Sequence, residues 1–242
     1  MPNNADGFAS NESETRQQYA WASRRDNLPA TQSIPGLPGI PKDLNGVPPD
    51  LIALTFGAAS NKNIDTMRGV ANSVKNRIGL NVRGLVNLRS YEDVIYQHTS
   101  INPWFDNEGY PILDEQGYFI PGHPRPQYNE IEDDQMAKAY KVLTGRAPSS
   151  DLGGRDNEQA LVRAFRAAEE VYHGNARDNT IPASGGRGAA YFHDRGIHTP
   201  GFIAAGIKSG ILREITPSPG VQWGMRFYGY TEKGYQQERV NP

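Results

Sequence analysis

Apolar residues recur at helical spacing in several stretches of this chain, and turn residues separate those stretches. The run 51–59 is an apolar helix with Asp50 placed as its N-cap. It meets a second helix at a small-residue elbow, Gly57-Ala58-Ala59-Ser60. In that second helix Met67, Val70, Ala71, Val74 and Ile78 follow the i, i+3, i+4, i+7, i+11 pattern of one buried face, and Gly79 suits its C-terminal cap. A short helix is expected over 91–97, with Ser90 as N-cap and Asp93 closing an acidic capping box. Two longer helices are expected over 129–144, with Met136, Tyr140 and Leu143 inward, and over 157–173, with Leu161, Phe165, Ala168 and Tyr172 inward.

Between the short helix and the third long one, 98–127 is irregular and rich in aromatics, Pro and Gly, with a hairpin expected around 114–117. Loops this long inside a domain are usually functional. After the turn Gly185-Gly186-Arg187-Gly188, residues 189–194 read as a short strand opening into a loop. A helix near 202–207 and the aromatics Trp223, Phe227, Tyr228 and Tyr230 follow. The pattern therefore predicts a mainly α (α+β) domain over 50–242 with a small β element. Residues 1–49, polar and then Pro- and Gly-rich, read as an N-terminal arm and extended linker.

Composition narrows the function. A formal charge of −2 with interspersed signs leaves no basic face to neutralise phosphates, so nucleic acid is not an expected partner. The absence of cysteine excludes disulfides and thiolate metal sites. The N-terminus lacks an apolar segment behind a basic start, so neither a signal peptide nor a membrane span is expected there.

Four segments resemble, in order, the SleB-like cell-wall hydrolase family. They are Val70-Ala71-Asn72-Ser73-Val74-Lys75-Asn76-Arg77, Tyr91-Glu92-Asp93-Val94-Ile95-Tyr96-Gln97, Ala167-Ala168-Glu169-Glu170-Val171-Tyr172-His173-Gly174 and Gly188-Ala189-Ala190-Tyr191-Phe192-His193-Asp194. The resemblance covers about 51–202. It implies a lysozyme-like, transglycosylase-like helical domain that cleaves the peptidoglycan glycan strand between N-acetylmuramic acid and N-acetylglucosamine. It also places the catalytic glutamate of the family on Ala58, within Phe56-Gly57-Ala58-Ala59-Ser60, while Ser60-Asn61-Lys62-Asn63 replaces the family's Arg-Gly-Glu. An engineered Glu-to-Ala variant and a natural pseudo-enzyme are the two explanations. The first is preferred because the surrounding segments keep the pattern.

Glycoside cleavage needs a protonated carboxyl beside the leaving oxygen, and an apolar seat such as one beside Phe56 raises a carboxyl pKa enough to hold that proton. A muramidase also needs a second carboxylate, for which Asp65, Asp106 and Glu108 are the candidates. The resemblance implies that a lytic transglycosylase needs none, because the sugar's 6-hydroxyl attacks and leaves a 1,6-anhydro end; this reading is preferred. Ser100, Asn102, Trp104, Tyr191 and His193 are candidates for a sugar-binding groove. His193, His198 and Asp194, with His98 or His123, lack a helical metal-ligand spacing, so neither metal nor cofactor is expected.

The expected setting is a chain made in the cytoplasm without a signal peptide and acting in the periplasm or cell wall of a target cell. It would be an antibacterial effector of a contact-dependent secretion system or a phage lytic protein. A cognate immunity protein or a secretion-machine component is the expected protein partner. The rivals are a non-catalytic peptidoglycan-binding or virion structural protein, and an amidase or peptidase acting on the stem peptides.

Overall fold

The computed structural model of the 242-residue chain describes residues 33–59, 62–83, 85–97, 134–182, 185–194 and 199–240. Among these residues it is a mixed α+β arrangement of seven helices and two small sheets.

Helix α1 (Pro49–Ala58) is the hub. Leu51, Ile52, Ala53, Leu54 and Phe56 are all fully buried, as expected of a helix that is apolar around its whole circumference. Thr55 avoids an unmet hydroxyl by donating to the Leu51 carbonyl at 2.6 Å. Pro48 holds the N-cap position and Asp50 lies inside the first turn, so the expected Asp50 cap is corrected. Proline at the first helical position sacrifices only an amide that has no helical partner. Asp50 is buried instead and accepts a hydrogen bond from the Tyr96 hydroxyl.

Helix α2 (Ile64–Arg77) buries Met67, Val70, Ala71 and Val74 as its spacing predicts. It starts where the Asn63 side chain accepts from the Asp65 amide at 2.7 Å, and ends before Gly79 at φ +70. Short helix α3 (Tyr91–Ile95) carries the expected capping box from Ser90 and Asp93. Helix α4 (Asp134–Leu143) turns Met136, Ala139, Val142 and Leu143 inward; its expected first turn lies outside the described residues, as does the 114–117 hairpin.

Helix α5 (Arg155–Tyr172) buries Leu161, Phe165 and Ala168 and packs along α2. Its Tyr172 departs from expectation. It is 36% exposed and meets Tyr91 with ring centroids 5.4 Å apart.

Strand β3 (Tyr191–Asp194) is the expected strand. The chain then forms α6 (Gly201–Lys208), β4 (Leu212–Ile215), β5 (Met225–Tyr230) and α7 (Glu232–Glu238). The antiparallel order is β3-β5-β4, with Phe192 opposite Phe227 and Ile215 on the other side of Phe227. Phe227 reaches α2 at Gly69, where a Cβ would lie 2.6 Å from the ring, so the missing side chain sets how closely sheet and helix approach.

Residues 33–49 correct the expected linker. Strand β1 (Ser33–Ile34) and strand β2 (Leu37–Pro41) form an antiparallel hairpin through Gly36 at φ +81, followed by a helical turn at Leu44–Gly46. Leu37 and Ile40 are buried, and β2 packs on α5. A two-stranded sheet has an open edge on each strand, so prolines fit it without breaking a ladder. We expect Ile40→Ala to cost about 2–4 kcal/mol in urea unfolding; a loss under about 0.5 kcal/mol would return this hairpin to a dispensable arm.

Candidate functional site

The elbow after α1 is held from several sides. Ala58 ends the helix at 5% exposure, and Ala59 follows with φ −77 and ψ 86. Lys62, in the left-handed region at φ +51, folds back so that its Nζ donates to the Phe56 carbonyl at 2.7 Å and lies 4.3 Å from the Phe56 ring centroid. A cation is favourable at the carbonyl end of a helix and over an aromatic face. From α5, Arg163 Nε donates to the Lys62 carbonyl at 3.2 Å. On the α4 side, a Cβ at Gly57 would stand 3.3 Å from the Met136 Cβ, so the glycine allows the two helices to close. A carboxyl at position 58 would therefore enter a nearly dry seat.

Asp65 sits in the first turn of α2 and is drawn into a structural bridge. It accepts from Arg68 Nη1 at 3.2 Å, while Arg68 Nε donates to Glu170 of α5 at 2.7 Å. The Glu170 hydrogen bond leads the effects that raise the Arg68 pKa. Ser100, Asn102, Trp104, Asp106 and Glu108 lie outside the described residues.

Tyr191 and His193 share one face of β3, since alternate strand residues point the same way. The Tyr191 hydroxyl pairs with that of Tyr230 at 2.8 Å, and its ring meets Phe202 of α6 at 5.4 Å and the Arg77 guanidinium at 4.8 Å. His193 is 9% exposed, with Nε2 2.9 Å from the Tyr228 hydroxyl and its ring stacked on Tyr228. Phe192, between them, turns instead to Phe227. The pair is thus engaged with β5, α6 and the Arg77 end of α2, while the elbow adjoins the opposite end of that helix.

One polar network had no signal in local spacing. Asn76 Nδ2 donates to Asp178 Oδ2 at 2.8 Å and to the Ala189 carbonyl at 3.1 Å. Thr180 Oγ1 donates to Asp178 Oδ1 at 2.6 Å and accepts from the Ala189 amide at 2.8 Å. Arg77, 3% exposed, donates through Nε to the Ala190 carbonyl at 2.6 Å. Gly188 lies where a Cβ would strike Asn76 and Asp178. Two segments of the sequence pattern, the end of α2 and the approach to β3, are locked together here.

Two hollows flank the elbow's neighbours. One of about 590 Å³ adjoins it through Met136 and is lined also by Tyr96, Tyr140, Lys141, Arg146 and Asp151. The other, of about 520 Å³, adjoins it through Arg163. Among the described residues no cluster of His, Asp and Glu is arranged to hold a metal ion, and no helix is long and apolar enough to cross a membrane.

Two tyrosines, Tyr91 half-buried and Tyr230 buried, give the domain an alkaline limit. Burial is the leading cause of the Tyr91 hydroxyl being pushed up to about 12, and burial first, then Tyr191, also raises Tyr230. Below the unfolded pKa of about 10 both states are protonated and the contribution is whole. Above it the unfolded chain ionises first, so stability falls as pH rises toward about 12. Urea midpoints should decline between about pH 10 and 12, and Tyr91→Phe should flatten the decline. Equal slopes for both proteins would contradict this assignment.

Comparison with protein-family models, with curated proteins and with solved structures finds no match for the chain.

Proposed function

We propose that this is a lysozyme-like domain of the SleB-like kind, built to hold the glycan strand of peptidoglycan for cleavage between N-acetylmuramic acid and N-acetylglucosamine. The chemistry of the scaffold is that of a lytic transglycosylase, or of a muramidase if a second carboxylate is supplied. With Ala58 at the position of the acid, this chain is its inactive form: it engages the strand without cutting it.

The observation that carries the reading is the convergence of the segments on which the resemblance rests. The elbow of α1 leads into α2, whose Arg68 and Lys75 bind Glu170 and the Val171 carbonyl of α5. Asn76 and Arg77 then bind the carbonyls of Ala189 and Ala190 before β3. Tyr96 of the α3 segment closes on Asp50 of α1. Segments scattered over more than a hundred residues of sequence are thus in mutual contact, with the Ala58 elbow at one end of the assembly.

A non-catalytic, peptidoglycan-binding or virion structural role is the second reading. It is favoured by Ala58 itself and by the engagement of Asp65 with Arg68. In a delivered antibacterial protein the site would act in the periplasm of the target cell, and an immunity protein would cover it.

Co-sedimentation with purified sacculi tests the binding component. The chain should pellet with sacculi and be released by soluble glycan strands. If it stays in the supernatant at all sacculus concentrations while remaining folded, the peptidoglycan reading is wrong.

A further inference from the structure

We propose that the groove between the β1–β2 hairpin and α5 is a carboxylate-binding subsite for the peptide arm of peptidoglycan, beside the elbow that would hold the acid. This inference rests on the peptidoglycan reading and deepens it.

The groove, of about 520 Å³, has Gly36, Leu37 and Pro38 on one side and one face of α5 on the other. Arg155, Gln159, Val162, Arg163 and Arg166 recur there at i, i+4, i+7, i+8 and i+11, which aligns them along the helix. Three guanidinium groups thus line one hollow in a protein whose formal charge is −2. Arg155 and Arg166 have no ion pair or hydrogen bond among the described residues. Arg163 spends Nε on the Lys62 carbonyl, which ties the groove to the loop after Ala58.

Gly39, at φ +99, brings the hairpin against the helix wall beside the hollow. A Cβ there would lie 3.7 Å from Val162 Cγ1 and 3.9 Å from Arg166 Nη2, against the helix wall.

The chemistry selects the ligand. A guanidinium offers paired planar donors that match a carboxylate. Arg155 and Arg163 are eight positions apart, roughly 12 Å along a helix. A single small anion cannot span that distance, whereas an extended peptide of about four residues can. Glu158 also lines the groove and disfavours a purely anionic ligand. It suits a peptide that carries a free amine among its carboxylates.

A peptidoglycan stem peptide has this composition. It hangs from the lactyl group of the muramic acid, the sugar at the scissile bond, so a subsite joined to the elbow through Arg163 is within its reach.

The test measures binding of the full chain to three probes by calorimetry: a disaccharide-tetrapeptide with free carboxylates and a diamino-acid amine, the same compound amidated at its carboxylates, and peptide-free glycan strands. Amidation should weaken binding roughly tenfold or more, and the double variant Arg155→Gln/Arg166→Gln should do the same for the free-acid probe only. Because neither arginine has a partner among the described residues, thermal unfolding of this variant should match that of the parent.

Equal affinity for the free and amidated probes, or an unchanged variant, overturns the subsite. If peptide-free strands still bind, the glycan reading survives that failure; if no probe binds, both fall. Arginine-dependent binding of polyglutamate without binding of the muropeptide also overturns the proposal and assigns the groove to an acidic protein. Equally strong binding of inorganic phosphate reduces it to an unselective anion site.

Discussion

Arg77→Met is expected to destabilise the domain by about 2–4 kcal/mol. The guanidinium is buried at the junction of α2 and the approach to β3. It supplies a donor to the Ala190 carbonyl at 2.6 Å and lies 4.8 Å from the Tyr191 ring centroid. Methionine fills much of the volume but leaves that carbonyl without the donor, at a cost of roughly 1–3 kcal/mol. Loss of the cation over the ring adds on the order of 1 kcal/mol. Relief from burying a charge works in the opposite direction, which places the expected loss toward the lower end of that range. Lysine should not rescue the site, because an ammonium lacks the planar fork that serves the carbonyl and the ring together. Urea unfolding measures the effect. A change under about 0.5 kcal/mol would mean that the junction is held by the Asn76–Asp178–Thr180 network alone.

How far the sequence reaches depends on the distance over which each element is stabilised. The inward face of α2 is visible in its spacing because Met67, Val70, Ala71 and Val74 each meet the core through the helix's own periodicity. The capping box of α3 is equally local. The hairpin at 33–41 is not visible: its prolines argue against a strand, and only the docking of Leu37 and Ile40 on α5 overrides them. Strands β4 and β5 are also obscure. The run Met-Arg-Phe-Tyr-Gly-Tyr of β5 lacks a clean polar alternation because its pairing on both sides buries it almost throughout.

The candidate site divides in the same way. The elbow is marked by an apolar helix running into the small residues Gly57-Ala58-Ala59-Ser60, a short-range feature. The orientation of Tyr191 and His193 depends on the register of β3 against β5, which local patterning does not determine. The bond from Asn76 to Asp178 joins residues 102 positions apart, and the groove arginines become a site only when the hairpin closes over α5.

Ala58→Glu is expected to produce the largest functional change. Position 58 is 5% exposed at the end of a buried helix, two residues after the fully buried Phe56. An introduced carboxyl there loses solvation, which raises its pKa and favours the protonated form that a general acid requires. The Lys62 ammonium, held at the Phe56 carbonyl, opposes part of that rise. We therefore expect a pKa above the ordinary value of about 4.3 and activity that falls off as pH rises through it. Burying the carboxyl should lower stability by roughly 1–3 kcal/mol. Ala58→Gln should carry a similar penalty without gaining activity, which separates proton donation from packing.

The most direct measurement is mass spectrometry of the soluble products released from purified sacculi by the Ala58→Glu chain. The account predicts 1,6-anhydromuropeptides from that variant and none from the chain with Ala58 or from Ala58→Gln. If Ala58→Glu is folded, sediments with sacculi and still leaves every glycan strand intact, the proposal that position 58 is the seat of the acid is contradicted.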